Sequence, residues 1–153
     1  MLHRKSQLLV ALFTGIGLVV FDQLCKNWAL SASGFSFYFF SPWFGWEFFQ
    51  NPGVAFGIPV PGWIMTIITP PIILGLGIIL NNRYLNPKTF TKEIWGLVFI
   101  MLGAVSNFID RITLNYTVDY LRLFYSVINI ADVMILFGLI CLLSTNRLID
   151  KNN

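Results

Sequence analysis

Four aspartates lie within or beside long apolar stretches of the sequence: Asp22, Asp110, Asp119 and Asp132. An ionisable side chain at membrane depth is costly, so such residues usually face a protein interior and have a function. Asp119 and Asp132 have no basic residue close by in the sequence except Arg122. These two carboxylates are therefore the ones without an obvious local partner of opposite charge.

Two carboxylates that lie close together without a cation share one proton, because both cannot ionise cheaply. Such a pair supports aspartic-protease chemistry. One carboxylate takes a proton from water as the water attacks a carbonyl, and the protonated partner polarises that carbonyl and later protonates the leaving amine. Asp119 and Asp132 are 13 positions apart, a spacing that permits them to meet without proving that they do.

Further polar residues occur at helical spacing around these aspartates. Side chains three or four residues apart share one face of a helix. The groups with this spacing are Asn107 with Asp110 and Arg111, Asp22 with Lys26, and Asn129 with Asp132. Asp110 could pair with Arg111 or with Lys26, and Asp22 could pair with Lys26. The alternative for the basic residues is that each marks a helix end whose side chain reaches the lipid headgroups.

Membrane-spanning helices are predicted to carry these residues. The chain has 153 residues, of which 56% are hydrophobic and 11% charged, which is the composition of a membrane protein. A spanning helix needs about 20 mainly apolar residues. The sequence offers four such segments, at 8–30, 63–80, 94–111 and 128–145. We therefore expect an all-α membrane protein of four transmembrane helices, forming one domain over residues 1–153.

Basic residues near the helix ends predict the orientation, because cytoplasmic loops are enriched in them. Of the 10 Lys and Arg residues, all but Lys26, Arg111 and Arg122 fall on one side of the predicted spans. Both termini are therefore expected in the cytoplasm, with the aspartates near the outer face. The net charge of +3 follows from this topology and requires no nucleic-acid partner. A cleaved signal peptide at the N-terminus is the alternative, but its removal would leave an odd number of spans.

The first outer loop contains the aromatic stretch "FSFYFFSPWFGWEFF" at residues 35–49. Partial alternation without a helical stripe favours strands or extended chain on the membrane surface, where aromatic rings are common. The stretch is either a platform for a lipid-bearing substrate or a general aromatic belt. It runs into "NPGVAFG" at 51–57, whose composition favours a tight turn.

Taken in order, five short blocks resemble lipoprotein signal peptidase, the signal peptidase II family of bacterial membrane aspartyl proteases. The blocks are "DQLCK" (22–26), "NPGVAFG" (51–57), "GAVSNFIDR" (103–111), "VDY" (118–120) and "NIAD" (129–132). Each block alone is weak. All five in the family's order, on four predicted spans, make the resemblance specific, and it covers nearly the whole chain.

The resemblance implies cleavage of a diacylglyceryl-modified prolipoprotein on the amino side of its lipid-modified cysteine. It implies a bacterial cytoplasmic membrane enzyme that contacts membrane lipids, and it implies no metal or organic cofactor. We expect a monomer. Asp119 and Asp132 match the family's catalytic pair. The positions that match residues lining or bracing the site are Asp22, Lys26, Asn51, Gly53, Asn107, Asp110, Arg111, Asn129 and Ala131.

The chain also departs from the family's pattern. Ala104 and Ser106 stand where the family commonly has glycine, Ile128 stands where it commonly has phenylalanine, and Asn115 lies in a loop that often carries glycine. Two alternative functions are a small proton-coupled transporter that uses the aspartates as a relay and an inactive protein that only binds lipoproteins. The aspartates cluster at the predicted outer ends rather than at mid-membrane, which argues against the transporter.

Overall fold

Four helices form from the long apolar stretches, because a helix satisfies its own backbone hydrogen bonds where water is absent. The computed structural model describes residues 2–53, 60–86, 89 and 91–150, with side chains at all of these except 2, 3 and 146–150. The helices are α1 (Leu2–Ser31), α2 (Gly62–Leu85), α3 (Thr91–Leu114) and α4 (Ile130–Asp150). Helix α2 continues through Pro70 and Pro71.

Three of the four helices are long and apolar enough to cross a membrane, namely α1, α2 and α3. The described apolar part of α4, Ile130–Thr145, is shorter, so a fourth span remains a prediction. The predicted start of this segment at residue 128 was wrong. Ile128 ends a strand and α4 begins at Ile130, because Asn129 caps the helix with its side chain.

Helix α3 packs against each of the other three helices. Its contact with α4 is close at two places, since a Cβ added at Gly96 would lie 2.8 Å from the Gly138 carbonyl oxygen, and one added at Gly103 would lie 2.6 Å from the Ala131 carbonyl oxygen. Small residues let helix backbones approach in this way. The main apolar core lies between α1, α3 and α4, around Val98.

The segments between α1 and α2 and between α3 and α4 form one antiparallel sheet, which makes the fold mostly helical rather than purely so. Its strands are β1 (Ser36–Phe40), β2 (Phe44–Asn51), β3 (Thr117–Leu123) and β4 (Ser126–Ile128), in that spatial order. The extended conformation predicted for the aromatic stretch is confirmed, since it folds into the β1–β2 hairpin. The pairing of this hairpin with the segment between α3 and α4 was not predicted from the sequence.

The register of the sheet places the site residues beside one another. In the pairing of β2 with β3, Asn51 lies opposite Thr117 and Phe49 lies opposite Asp119. The chain enters β3 from α3 through Asn115, whose φ is 66°. Glycine adopts this left-handed conformation freely and asparagine tolerates it better than most residues, which explains how Asn115 serves where the family often has glycine.

Basic residues lie at the end of the helices opposite the sheet. The Arg4 guanidinium near the start of α1 donates to the Arg83 carbonyl oxygen at 3.0 Å. The Arg83 side chain near the end of α2 lies 3.4 Å from the Glu93 carboxylate at the start of α3. The starts of α1 and α3 therefore meet the end of α2 at one side of the helical layer, away from the four aspartates.

Candidate active site

Two carboxylates from different elements meet at one asparagine. Asp119 lies in β3, Asp132 lies in the first turn of α4, and Asn129 immediately precedes that helix. The Asn129 side-chain amide donates to Asp119 Oδ1 at 2.6 Å, and the Asn129 backbone N–H donates to Asp132 Oδ2 at 3.4 Å. The fold thus brings both carboxylates into hydrogen-bonding contact with a single residue, Asn129.

Asp119 is fully buried, with 0% of its surface exposed, and both of its carboxylate oxygens accept hydrogen bonds from amides. Oδ2 accepts from the Asn51 side chain at 2.9 Å. Burial raises the pKa of Asp119 to about 7, and the charge of Asp132 adds to the rise, while the hydrogen bonds from Asn51 and Asn129 oppose it. The Asp119 carboxyl group is therefore poised between its two protonation states near neutral pH.

Asp132 is fixed by the start of its own helix and by α3. Its backbone N–H donates to Asn129 Oδ1 at 2.9 Å, and this bond and the reciprocal bond to Asp132 Oδ2 form a capping box with Asp in the third helical position. The Asn107 side chain on α3 donates to the other oxygen, Asp132 Oδ1, at 2.9 Å. The orientation of this carboxylate is thus tied to the start of α4.

Lys26 is a buried cation whose three ammonium hydrogens all have acceptors. Its Nζ lies 2.9 Å from Asp22 Oδ2, from Asp110 Oδ2 and from Asn107 Oδ1. The sequence left Arg111 and Lys26 as possible ion-pair partners of Asp110, and in the structure Asp110 pairs with Lys26. Among the ion pairs of the described residues, none includes Asp119 or Asp132.

Asp110 joins three elements beneath the carboxylate pair. Its Oδ1 accepts from the Gln23 side chain of α1 at 3.0 Å, and its Oδ2 accepts from the Val118 backbone N–H of β3 at 3.1 Å. Because Val118 precedes Asp119, this bond fixes the strand next to the catalytic candidate.

Asp22 is the second such junction, with 0% of its surface exposed. Its Oδ2 accepts from the Ser106 hydroxyl at 2.6 Å in addition to Lys26. Its Oδ1 accepts from the Tyr120 hydroxyl at 2.8 Å and from the Ile130 backbone N–H at 3.0 Å. The carboxylate of α1 thus contacts α3, β3 and α4.

Arg111 and Gly53 meet at the edge of the site. The Arg111 guanidinium donates to the Gly53 carbonyl oxygen at 3.2 Å, and the Gly53 N–H donates to Asn51 Oδ1 at 3.0 Å. The latter contact is an Asx turn, which orients the same Asn51 side chain that donates to Asp119. The rest of the predicted turn, at 54–57, lies outside the described residues.

The structure places all eleven residues singled out from the sequence at the sheet end of the helices. Ala131 is fully buried at the close contact with Gly103. Arg122, the one basic residue near Asp119 in the sequence, lies apart and pairs with Glu47 at 2.7 Å. Sequence reasoning missed three side chains of the network, Gln23, Ser106 and Tyr120. Each lies inside one of the five blocks, and that position was the only signal available.

The described residues contain no group of three or more His, Cys, Asp or Glu side chains arranged to hold a metal ion. The fold and the site define a helical membrane protein in which buried amides and ion pairs hold two carboxylates at one end of the helices. The family model described as "Signal peptidase (SPase) II" matches residues 14–147. The chain belongs to this family and is a peptidase.

Curated relatives agree with this assignment, and a solved structure has the same fold. The chain is 30% identical over 132 residues to a lipoprotein signal peptidase of Clostridium novyi, with 81% of this chain and 88% of the relative covered. It is 29% identical over 150 residues to a lipoprotein signal peptidase of Latilactobacillus sakei, with 94% and 97% covered. A bacterial membrane enzyme solved by the in meso method at 2.3 Å resolution has the same fold, with a TM-score of 0.80, 22% identity and coverage of 94% of this chain and 91% of that one.

Proposed function

We propose that this chain is an aspartyl endopeptidase that cleaves diacylglyceryl-modified prolipoproteins on the amino side of the modified cysteine. Asp119 and Asp132 are its catalytic pair. The other nine residues predicted from the sequence brace this pair, within one domain over residues 1–153. Because both carboxylates come from one chain, a monomer suffices. Membership of the signal peptidase II family supports the reaction, and the geometry of the two carboxylates supports the mechanism.

The observation that carries the mechanism is the bridge through Asn129 between two carboxylates that form no ion pair with any described residue. The nearest buried lysine is fully occupied by Asp22, Asp110 and Asn107. The charge of Asp132 also contributes to the raised pKa of Asp119, which means that the two carboxylates interact electrostatically. Burial and the neighbouring Asp132 charge raise the pKa of Asp119 more than the hydrogen bonds and the Lys26 charge lower it. We therefore infer that the pair shares one proton near neutral pH.

The shared proton assigns complementary roles within the pair. The ionised carboxylate removes a proton from a water molecule while that water attacks the carbonyl carbon before the modified cysteine. The protonated carboxyl donates a hydrogen bond to the carbonyl oxygen and so stabilises the negative charge that develops there. When the intermediate collapses, a proton passes to the amine of the cysteine, the peptide bond breaks, and the signal peptide leaves with a new carboxylate.

The remaining contacts of the site position these groups. Asn51 and Asn129 hold both oxygens of Asp119, while Asn107 holds Asp132. Preorganised donors of this kind do not have to reorient during the reaction, which is how buried amides contribute to the rate.

The surroundings of the site suit a substrate that carries lipid. Phe37, Phe39 and Phe40 on β1 are 50%, 73% and 71% exposed. Exposed aromatic rings at this level of a membrane protein favour the interface between water and lipid. We propose that the hairpin lies on the outer membrane surface, beside the lipid chains of the substrate, with both termini of the protein in the cytoplasm.

A proton-coupled carrier remains the alternative for buried carboxylates in a membrane protein. In the described residues, however, the four aspartates lie at one end of the helices and are tied to a sheet. This arrangement provides no relay towards the opposite end, so the peptidase is favoured.

The substrate assignment is tested with purified protein in detergent and two forms of one prolipoprotein. One form carries the diacylglyceryl group on its cysteine and the other lacks it. We expect cleavage of the lipid-modified form only, with a product whose mass corresponds to a chain beginning at the modified cysteine. Cleavage of neither form by folded protein would contradict the function, and equal cleavage of both would contradict the lipid requirement.

A further inference from the structure

One carboxylate oxygen connects the two elements that carry the catalytic pair. Asp22 Oδ1 accepts from the Tyr120 hydroxyl at 2.8 Å and from the Ile130 backbone N–H at 3.0 Å. Tyr120 follows Asp119 in β3, and Ile130 is the first residue of α4, two positions before Asp132. The strand with one catalytic carboxylate and the helix with the other are thus bonded to the same atom.

We propose that Tyr120 is a positioning residue, whose hydroxyl acts through Asp22 to set the distance between the Asp119 and Asp132 carboxylates. The inference rests on the proposed function, because it assumes that these two residues form the catalytic pair. Tyr120 touches neither catalytic carboxylate. Its proposed role depends on its hydroxyl group, which a phenylalanine in the same place would lack.

The second oxygen of Asp22 is fixed independently of the catalytic elements. Asp22 Oδ2 accepts from Lys26 at 2.9 Å and from the Ser106 hydroxyl at 2.6 Å. The carboxylate therefore cannot rotate freely, and Oδ1 has a defined place in the fold. Because Asp22 Oδ1 is anchored, it can hold the Tyr120 hydroxyl of β3 and the Ile130 N–H of α4 in a fixed position relative to each other.

The Tyr120 ring is equally well fixed. It is 0% exposed, and its centroid lies 4.7 Å from that of Trp46, which in turn lies 4.6 Å from Trp28. Burial raises the pKa of the Tyr120 phenol, so the hydroxyl stays protonated and acts as a donor throughout the neutral range. Successive side chains of a strand point to opposite faces, which puts Tyr120 on the face of β3 away from Asp119.

This placement separates positioning from substrate binding. Because Tyr120 is fully buried and points away from the Asp119 side of β3, Tyr120→Phe keeps the ring packing and removes no substrate contact. It deletes the bond to Asp22, together with the long bond of 3.4 Å that the hydroxyl accepts from the Ile130 N–H. The strand can then shift relative to α4, so that fewer molecules hold the carboxylates at the reactive distance. A larger separation also weakens the effect of the Asp132 charge, which lowers the pKa of Asp119.

Tyr120→Phe and the matched control Tyr116→Phe are compared in steady-state cleavage over a range of pH. The Tyr116 hydroxyl is exposed and accepts only a long bond of 3.3 Å from Gln50. For Tyr120→Phe we expect kcat to fall roughly tenfold, with KM within about twofold of wild type, and the loss of kcat/KM at high pH to begin at lower pH. For Tyr116→Phe we expect wild-type values. A Tyr120→Phe enzyme with wild-type kcat and pH profile would overturn the proposal.

A double-mutant cycle shows whether Tyr120 acts through Asp22. In an Asp22→Ala background the acceptor is gone and only the long 3.4 Å bond from the Ile130 N–H to the Tyr120 hydroxyl remains, so adding Tyr120→Phe should change kcat by no more than about twofold. If Tyr120→Phe lowered kcat as much in the Asp22→Ala background as in wild type, the link through Asp22 would be overturned. A wild-type kcat for folded Asp22→Ala would overturn it as well. Failure of the inference is distinct from failure of the proposed function, because the latter would leave Asp119→Asn and Asp132→Asn fully active.

Discussion

The difference between the four aspartates comes from how their negative charges are compensated. Asp22 and Asp110 share the ammonium group of Lys26, whose remaining hydrogen goes to Asn107. Asp119 instead accepts bonds from neutral amides. Two of the four aspartates are therefore ion-paired with Lys26, and we propose that the other two, Asp119 and Asp132, share a proton.

The pH dependence of turnover follows from the pKa of Asp119. With the charge of Asp132 beside it, the Asp119 carboxyl loses its proton at about pH 7, so the pair has no shared proton at higher pH. We expect kcat/KM to fall as pH rises through about 7. In Asn51→Ala the hydrogen bond that lowers this pKa is lost, so the fall should move to higher pH, as measured by cleavage rates in a series of buffers.

Tyr38→Phe serves as the control for this measurement, because its hydroxyl bonds to Glu47 in the sheet, away from the pair. A wild-type rate that stays constant across pH 7 would contradict the assignment of the shared proton. A shift of the Asn51→Ala profile towards lower pH would contradict the role of the Asn51 amide.

Sequence alone could identify the polar residues but not most of their partners. The helical spacing of Asp22 and Lys26 correctly suggested their pairing, because both lie on one face of one helix. Whether Asp110 would pair with Lys26 or Arg111 depends on the packing of α1 against α3, which no local pattern encodes. The contacts of Ser106 and Tyr120 with Asp22 depend on the same packing and could not be predicted.

Among the elements, the helices were predictable and the sheet was only partly so. Apolar stretches long enough for a helix are a local property, and all four predicted segments coincide with helices, whose observed ends differ from the predicted ends by one to six residues. Strand pairing between β2 and β3 joins chain segments separated by two helices. Alternation indicated the strands of the aromatic stretch but could not indicate this partner. Yet this pairing places Asp119 near Asn51.

The contact between α3 and α4 depends on two glycines that face each other. A Cβ at Gly138 would lie 2.5 Å from the Gly96 carbonyl oxygen and 2.6 Å from Ile100 Cγ1. Because backbone atoms cannot move aside as a flexible side chain can, Gly138→Ala should force the helices apart and destabilise the protein by about 1–3 kcal/mol. The measurement is thermal unfolding in detergent, compared with wild type.

Gly75→Ala is the matched control for this substitution. Gly75 lies inside α2 with nothing within 4 Å of an added Cβ, so the change should be neutral or stabilising by up to about 1 kcal/mol through helix propensity. Equal unfolding temperatures for Gly138→Ala and wild type would show that the close contact does not limit the packing of α3 on α4.

The whole molecule separates its charges between two ends. Arg4, Arg83 and Glu93 meet at one end of the helices, and the aspartate network lies at the other, beneath a sheet with exposed aromatic rings. Composition and the distribution of basic residues predicted this polarity before any contact was known. It suits a peptidase whose reaction takes place at one surface of a membrane.

In the proposed mechanism Asp119 and Asp132 together catalyse the cleavage, and kcat/KM of Asp119→Asn and Asp132→Asn tests this most directly. The rates are measured on a diacylglyceryl-modified prolipoprotein with equal amounts of folded protein, and Glu47→Gln serves as a control because Glu47 pairs with Arg122 away from the site. We predict a loss of at least about 100-fold for each aspartate variant and little change for the control. Undiminished cleavage by either folded aspartate variant would contradict the catalytic pair.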